Sequence, residues 1–98
     1  MKEGIFLNAK KAINQLQLAC GRAGYPVTVN TRRQYGKGRL FILYTIYDVN
    51  GSKVFSTYRP HEAAVIMGTI YNALQEGKDA LQEAQKKADA MKEGKDSV

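Results

Sequence analysis

The stretch Arg39–Tyr58, RLFILYTIYDVNGSKVFSTY, decides how this chain folds. Leu40 to Val49 is a run of β-branched and aromatic residues, the types that suit a pleated, half-buried surface. Asn50-Gly51 then offers the two residues that accept positive φ most readily, which predicts a two-residue type I′ turn. Lys53 to Tyr58 returns as a second strand. With that turn Asp48 faces Lys53, Tyr47 faces Val54, Ile46 faces Phe55 and Tyr44 faces Thr57. Side chains alternate across a strand, so one face carries Leu40, Ile42, Tyr44, Ile46 and Phe55. The other carries Phe41, Leu43, Thr45, Tyr47, Val54, Ser56 and Tyr58. The first is the more uniformly aliphatic and is the expected core face. The second is too apolar for a plain solvent face.

Upstream, Val27 and Val29 alternate with Thr28 and Asn30, and Gly36 and Gly38 mark a further hairpin turn. The expected strands are therefore 27–33, 39–49 and 53–58, forming an antiparallel three-stranded meander. Before them, Phe6, Ala9, Ile13, Leu16 and Cys20 recur at three- and four-residue steps, the period of an amphipathic helix over 5–20. Gly21 is its expected left-handed cap. Tyr25-Pro26 then leaves helical geometry, because the residue before proline disfavours the α region.

Downstream, Pro60 suits a first helical position and Glu62 the positive end of the dipole. Ala63, Met67, Ile70, Leu74, Gly77, Leu81, Ala84, Ala88 and Met91 follow at alternating four- and three-residue steps, predicting a helix over 60–93. Such a helix would run about 50 Å, whereas seven-residue strands reach only about 23 Å. Its second half must project, fold back after Gly77 or fray. The fold class is thus α+β: a two-layer αβββα arrangement in one domain over residues 1–94, with an N-terminal helix, a long C-terminal helix and a disordered tail at 95–98. A length of 98 residues suits one core.

Charge is unevenly placed. Residues 1–59 hold ten Lys/Arg against Glu3 and Asp48, a net of +8, whereas residues 60–98 carry −2. All five arginines precede Pro60, and no acid occurs from Arg22 to Tyr47. Segregation of this kind points to an electropositive face and an anionic partner. Nothing in the chain reads as a membrane span or a secretory leader. The single Cys20 lies on the apolar helix stripe and cannot form an internal disulfide, so the cytoplasm is the expected compartment.

Catalytic chemistry is sparse. One His and one Cys, Cys20 on an apolar stripe and His61 in a helix's first turn, make neither a zinc set nor a convincing nucleophile and base. Gly36-Lys37-Gly38 lacks the rest of a phosphate-binding loop. The chain is expected not to be an enzyme and to need no cofactor, metal or small-molecule substrate.

Three features carry binding. The basic hairpin brings Arg32, Arg33, Lys37 and Arg39 around Tyr35; guanidinium forks suit phosphate oxygens and an aromatic ring can stack on a base or sugar. Arg33, Tyr35 and Lys37 are expected on one side. The alternative is a solvated turn that keeps a sheet edge from aggregating. The second feature is the sheet face with Phe41, Leu43, Tyr47 and Tyr58, an expected partner surface or homodimer contact. The third is the distal part of the last helix, residues 75–94: either its alanine-rich seam would let another helix approach closely or it is a solvated extension.

The order helix, three strands, helix resembles that of the double-stranded-RNA-binding domain. That family carries a basic cluster at the start of its second helix, where this chain has Pro60-His61-Glu62-Ala63-Ala64, so its main phosphate clamp is missing. Gly38-Arg39-Leu40 through Tyr47-Asp48-Val49-Asn50-Gly51 is similar in pattern to the sheet-reading DNA-binding domains at the front of some integrases. Both resemblances imply nucleic acid. The expected function is a small non-enzymatic nucleic-acid-binding domain using a basic β-hairpin. The alternative is a protein-interaction module, an adaptor or inhibitor of the kind mobile elements encode, docking through the open sheet or last helix.

Overall fold

The structure, a computed structural model, describes the backbone of residues 2–96 and the side chains of residues 9–91. Six elements follow in order: α1 (Lys2–Arg22), β1 (Thr28–Gly36), β2 (Arg39–Tyr47), β3 (Lys53–Thr57), α2 (Pro60–Glu76) and α3 (Ala80–Asp96). The three strands form one antiparallel sheet in the order β1-β2-β3. The α+β meander is the one the alternation predicts. One apolar cluster joins all the layers, with Ile13 and Cys20 from α1, Tyr44 and Ile46 from β2, Val54 from β3, Ile66, Met67 and Ile70 from α2, and Ala80, Ala84 and Ala88 from α3. Among the described residues no helix is long and apolar enough to cross a membrane.

The long C-terminal helix is two helices, and of the three fates open to its second half the chain takes the fold-back. Gly77 sits at φ 73°, in the left-handed region where a Cβ is penalised. Lys78 N–H donates to the Ala73 carbonyl at 2.8 Å and Gly77 N–H to that of Leu74 at 3.3 Å, which satisfies the end of α2. Asp79 then starts α3, its carboxylate accepting from Gln82 N–H at 3.2 Å. The buried Ala80, Ala84 and Ala88 let α3 lie close to α2. Gln85 Nε2 donates to the Val54 carbonyl at 3.3 Å, so α3 also covers the outer edge of β3. The tail expected at 95–98 overlaps the end of α3, and residues 97 and 98 lie outside the described residues.

The cap of α1 is Gly24 and not Gly21. Gly24 holds φ 86°, and Tyr25 N–H donates to the Cys20 carbonyl at 2.9 Å. Gly21 remains inside the helix.

The two hairpin turns exchange the roles the sequence suggests. Gly36 pairs with Arg39, and between them Lys37 (φ 52°) and Gly38 (φ 74°) both take positive φ. The type I′ turn is therefore at Lys37-Gly38. At the second hairpin only Gly51 is left-handed. Gly51 N–H donates to the Asp48 carbonyl, and Asp48 N–H to that of Ser52. The loop is thus three residues long, Val49-Asn50-Gly51. Asp48 does not face Lys53 across the ladder: its carboxylate accepts from Asn50 N–H at 2.9 Å and Ser52 N–H at 3.0 Å, and so organises the turn.

The longer loop shifts the ladder. Tyr44 pairs with Thr57 and Ile46 with Phe55 as expected, but Tyr47 pairs with Lys53. Val54 is the extra residue of this bulge. It is buried in the core cluster, not on the open face.

Candidate nucleic-acid interface

Strand lengths create the site. β1 and β2 have nine residues each and β3 only five. β3 pairs with Tyr44–Tyr47 alone, so Arg32–Gly36 and Arg39–Leu43 continue past it as a two-stranded arm. The arm ends in the Lys37-Gly38 turn, and Arg32, Arg33, Tyr35, Lys37 and Arg39 are all exposed on it, Tyr35 by 78%. Leu40, expected in the core, is 48% exposed: it borders a shallow hollow with Lys10 and Pro60 and is not part of the apolar cluster.

Residues paired across an antiparallel ladder share a face. Arg33 is opposite Ile42 and Tyr35 opposite Leu40, which places them on the side that α1 and α2 cover further along. Arg32 is opposite Leu43 and Arg39 opposite Gly36, on the open side. Arg33 and Tyr35 share a side as the alternation predicts, Lys37 occupies the tip, and Arg32 and Arg39 point the other way. The arginines thus gather on one arm but are divided between its faces. Cations therefore stand on both faces of the arm and at its tip.

Among the described residues none of these four cations is within 4.0 Å of a carboxylate; the ion pairs are Arg59–Glu62 at 3.7 Å, Lys78–Glu76 at 3.0 Å and Lys86–Glu83 at 3.5 Å. Among the described residues, no carboxylate of the helices neutralises the arm. Arg59 is different, because it is held by Glu62.

The expected partner residues lie together on the open face. Phe41 packs edge-on against Tyr58, ring centroids 6.1 Å apart at 69°. Tyr58 Oη donates to Gln34 Oε1 at 2.7 Å, tying the exit of β3 to the arm. Phe41 is 41% and Tyr58 52% exposed, while Leu43 and Tyr47 are half-buried. Thr45 and Ser56 fill the middle of the face with a hydroxyl contact of 3.2 Å. Tyr47 stands six residues beyond Phe41 along β2, roughly 20 Å away. The face therefore has two separated aromatic positions.

Two members of this face are not apparent from motifs. Gln34 orients Tyr58, and its alternation with Arg32 is the only sequence signal for that place. Lys53 joins the open face because the bulge pairs it with Tyr47; a two-residue turn would have hidden this.

Cys20 is fully buried, and burial pushes its thiol up from the ordinary value. Lys10 shares a hollow with Pro60 and Leu16 packs at Gly68, so α1 runs along α2 with Cys20 beyond Gly68, away from the exposed His61. The two do not meet. Among the described residues no three His, Cys, Asp or Glu side chains form a group able to hold a metal ion.

Comparison with known protein families, characterised proteins and solved structures finds no match to this chain.

Proposed function

We propose that this chain is a non-enzymatic, cytoplasmic nucleic-acid-binding domain that presents the β1–β2 arm to its ligand and needs no cofactor. The observation that carries the reading is the arm itself: Arg32, Arg33, Lys37 and Arg39 on two strands that outrun β3 with, among the described residues, no carboxylate paired to them. A two-stranded ribbon fits a B-form major groove about 12 Å wide. Unpaired guanidinium groups on both of its faces suit the phosphates on both walls of such a groove. The aromatic pair Phe41 and Tyr58, at the base of the arm, supplies a surface for a sugar or an unstacked base.

The test is binding to duplex DNA, single-stranded DNA and RNA across a salt series. Log affinity should fall linearly with log salt, and Arg32→Gln and Arg39→Gln should each lower the slope by about one. Absence of binding to all three at low salt would overturn the reading.

A second reading rests on the exposure of Phe41 and Tyr58 beside a hollow of about 630 Å³ lined by Phe55 and Met91. Here the open face docks a protein or a second copy of the chain. Tyr47→Ser with Tyr58→Ser should then abolish association and an Arg32→Glu, Arg33→Glu reversal should leave it intact. The nucleic-acid reading expects the charge reversal to abolish binding and the tyrosine changes to weaken it only by the stacking lost at Tyr58.

A further inference from the structure

A second concavity lies on the opposite side of the sheet, between α1 and β1–β2, with a volume of about 300 Å³. It exists because α1 leans on α2, with Leu16 against Gly68, and does not close down on β1. Lys10, Ile13, Asn14 and Gln17 line one wall at the spacing of a single helix face. The other wall holds Val29, Arg33, Ile42 and Tyr44 on the helix-facing side of the strands. Ile13, Val29 and Ile42 are its apolar lining, and Lys10 and Arg33 its two cations.

Two facts distinguish this space from a packing gap. Among the described residues, Lys10, Asn14, Gln17, Arg33 and Tyr44 make no side-chain hydrogen bond or ion pair to one another or to any neighbour. Tyr44 is only 6% exposed, and a buried phenol normally has a hydrogen-bond partner. Among the described residues its hydroxyl has none, and Tyr44 lines the cleft.

We propose that this cleft is a binding site for a small organic acid, an anionic headgroup carried on an apolar body. Arg33 and Lys10 take the headgroup by charge-assisted hydrogen bonds. The apolar body lies on Ile13, Val29 and Ile42, and Tyr44, Asn14 and Gln17 bond its polar substituents. At roughly 30 Å³ per water-sized group, the space holds about ten such groups, the scale of an aromatic acid or a short acyl chain. A carboxylate and a phosphate monoester share the headgroup chemistry. The site is independent of the proposed nucleic-acid role except for Arg33.

The test is titration of the full chain with benzoate, phenyl phosphate and, as the uncharged counterpart, benzyl alcohol, followed by amide NMR shifts. The expected result is a saturable shift of Ile13, Val29 and Ile42 with at least one of the two acids by about 10 mM, the weak end of measurable affinity. The stronger of the two identifies the headgroup. Lys10→Gln with Arg33→Gln, both at exposed positions, should weaken it about tenfold, and Tyr44→Phe should weaken it without unfolding the chain. Should Tyr44→Phe fail to fold, the exposed pair alone decides. The proposal is overturned by no saturable shift with either acid, by equal binding of the alcohol, by affinity unchanged in the Lys10/Arg33 variant, or by shifts confined to Lys37 and Arg39. None of these outcomes depends on whether the arm binds nucleic acid.

Discussion

Thr57 Oγ1 donates to Glu62 Oε1 at 2.6 Å, inside the protein, and accepts from Arg59 N–H at 3.0 Å. One hydroxyl thus closes the end of β3 onto the first turn of α2, where Arg59 has no side-chain cap of its own. Thr57→Val should cost about 1–3 kcal/mol, because it removes one hydrogen bond from the buried Glu62 carboxylate and the acceptor of the Arg59 amide. Glu62→Gln keeps an acceptor and should cost less. Urea unfolding of both single variants and the double would show coupling; strictly additive effects would mean that the bond contributes little.

Two glycines should respond in opposite directions to alanine. Gly77 is at φ 73°, so Gly77→Ala should destabilise by about 1–2 kcal/mol. Gly21 is exposed inside α1 with nothing within 4 Å of an added Cβ, so Gly21→Ala should stabilise by about 0.5–1 kcal/mol. Chemical denaturation measures both. A neutral Gly77→Ala would mean that α2 and α3 are free to join.

Lys37 holds φ 52° at a turn position that favours Asn or Gly. Lys37→Asn should therefore stabilise the hairpin by a few tenths to about 1 kcal/mol. The same change removes a cation from the tip of the arm and should weaken nucleic-acid binding. Thermal unfolding and a binding isotherm on one variant would show the opposed signs. A loss of stability would remove the type I′ assignment.

Burial raises the ionisation of Cys20, Tyr25 and Tyr44 above the ordinary values of 9.0 for the thiol and 10.0 for the phenols. For Tyr25 the charges of Asp48 and Asp79 and the nearby Cys20 add to it. Each group stays protonated in the folded chain at a pH where the unfolded chain has released its proton. Their contribution is fully present below the unfolded values and is lost as pH rises towards the folded ones. Stability should fall above about pH 9, and Tyr44→Phe should make that fall shallower. An unchanged alkaline slope in this variant would remove Tyr44 as a cause.

Much of the architecture is legible in local pattern. The run of β-branched and aromatic residues from Leu40 to Tyr47 identifies the central strand, and its more aliphatic face is the one that buries Tyr44 and Ile46. The cations of the arm are contiguous in the chain. The signal for the helix break, Gly77 followed by a capping Asp79, is also present, although the apolar seam runs straight through it. By contrast, Asn50-Gly51 favours a two-residue turn in isolation. Asp48 overrides that preference by accepting two amides, which lengthens the loop and turns Val54 inward.

By itself the sequence determined the element order, the meander and the concentration of arginine ahead of Pro60, because periodicity and turn chemistry act over a few residues. Only the tertiary structure decided that the arm outruns β3, that its arginines divide between two faces, and that α1 stands off the sheet to leave a cleft at Tyr44. These depend on relative strand lengths and on how helices pack against one another, distances set by residues far apart in the chain.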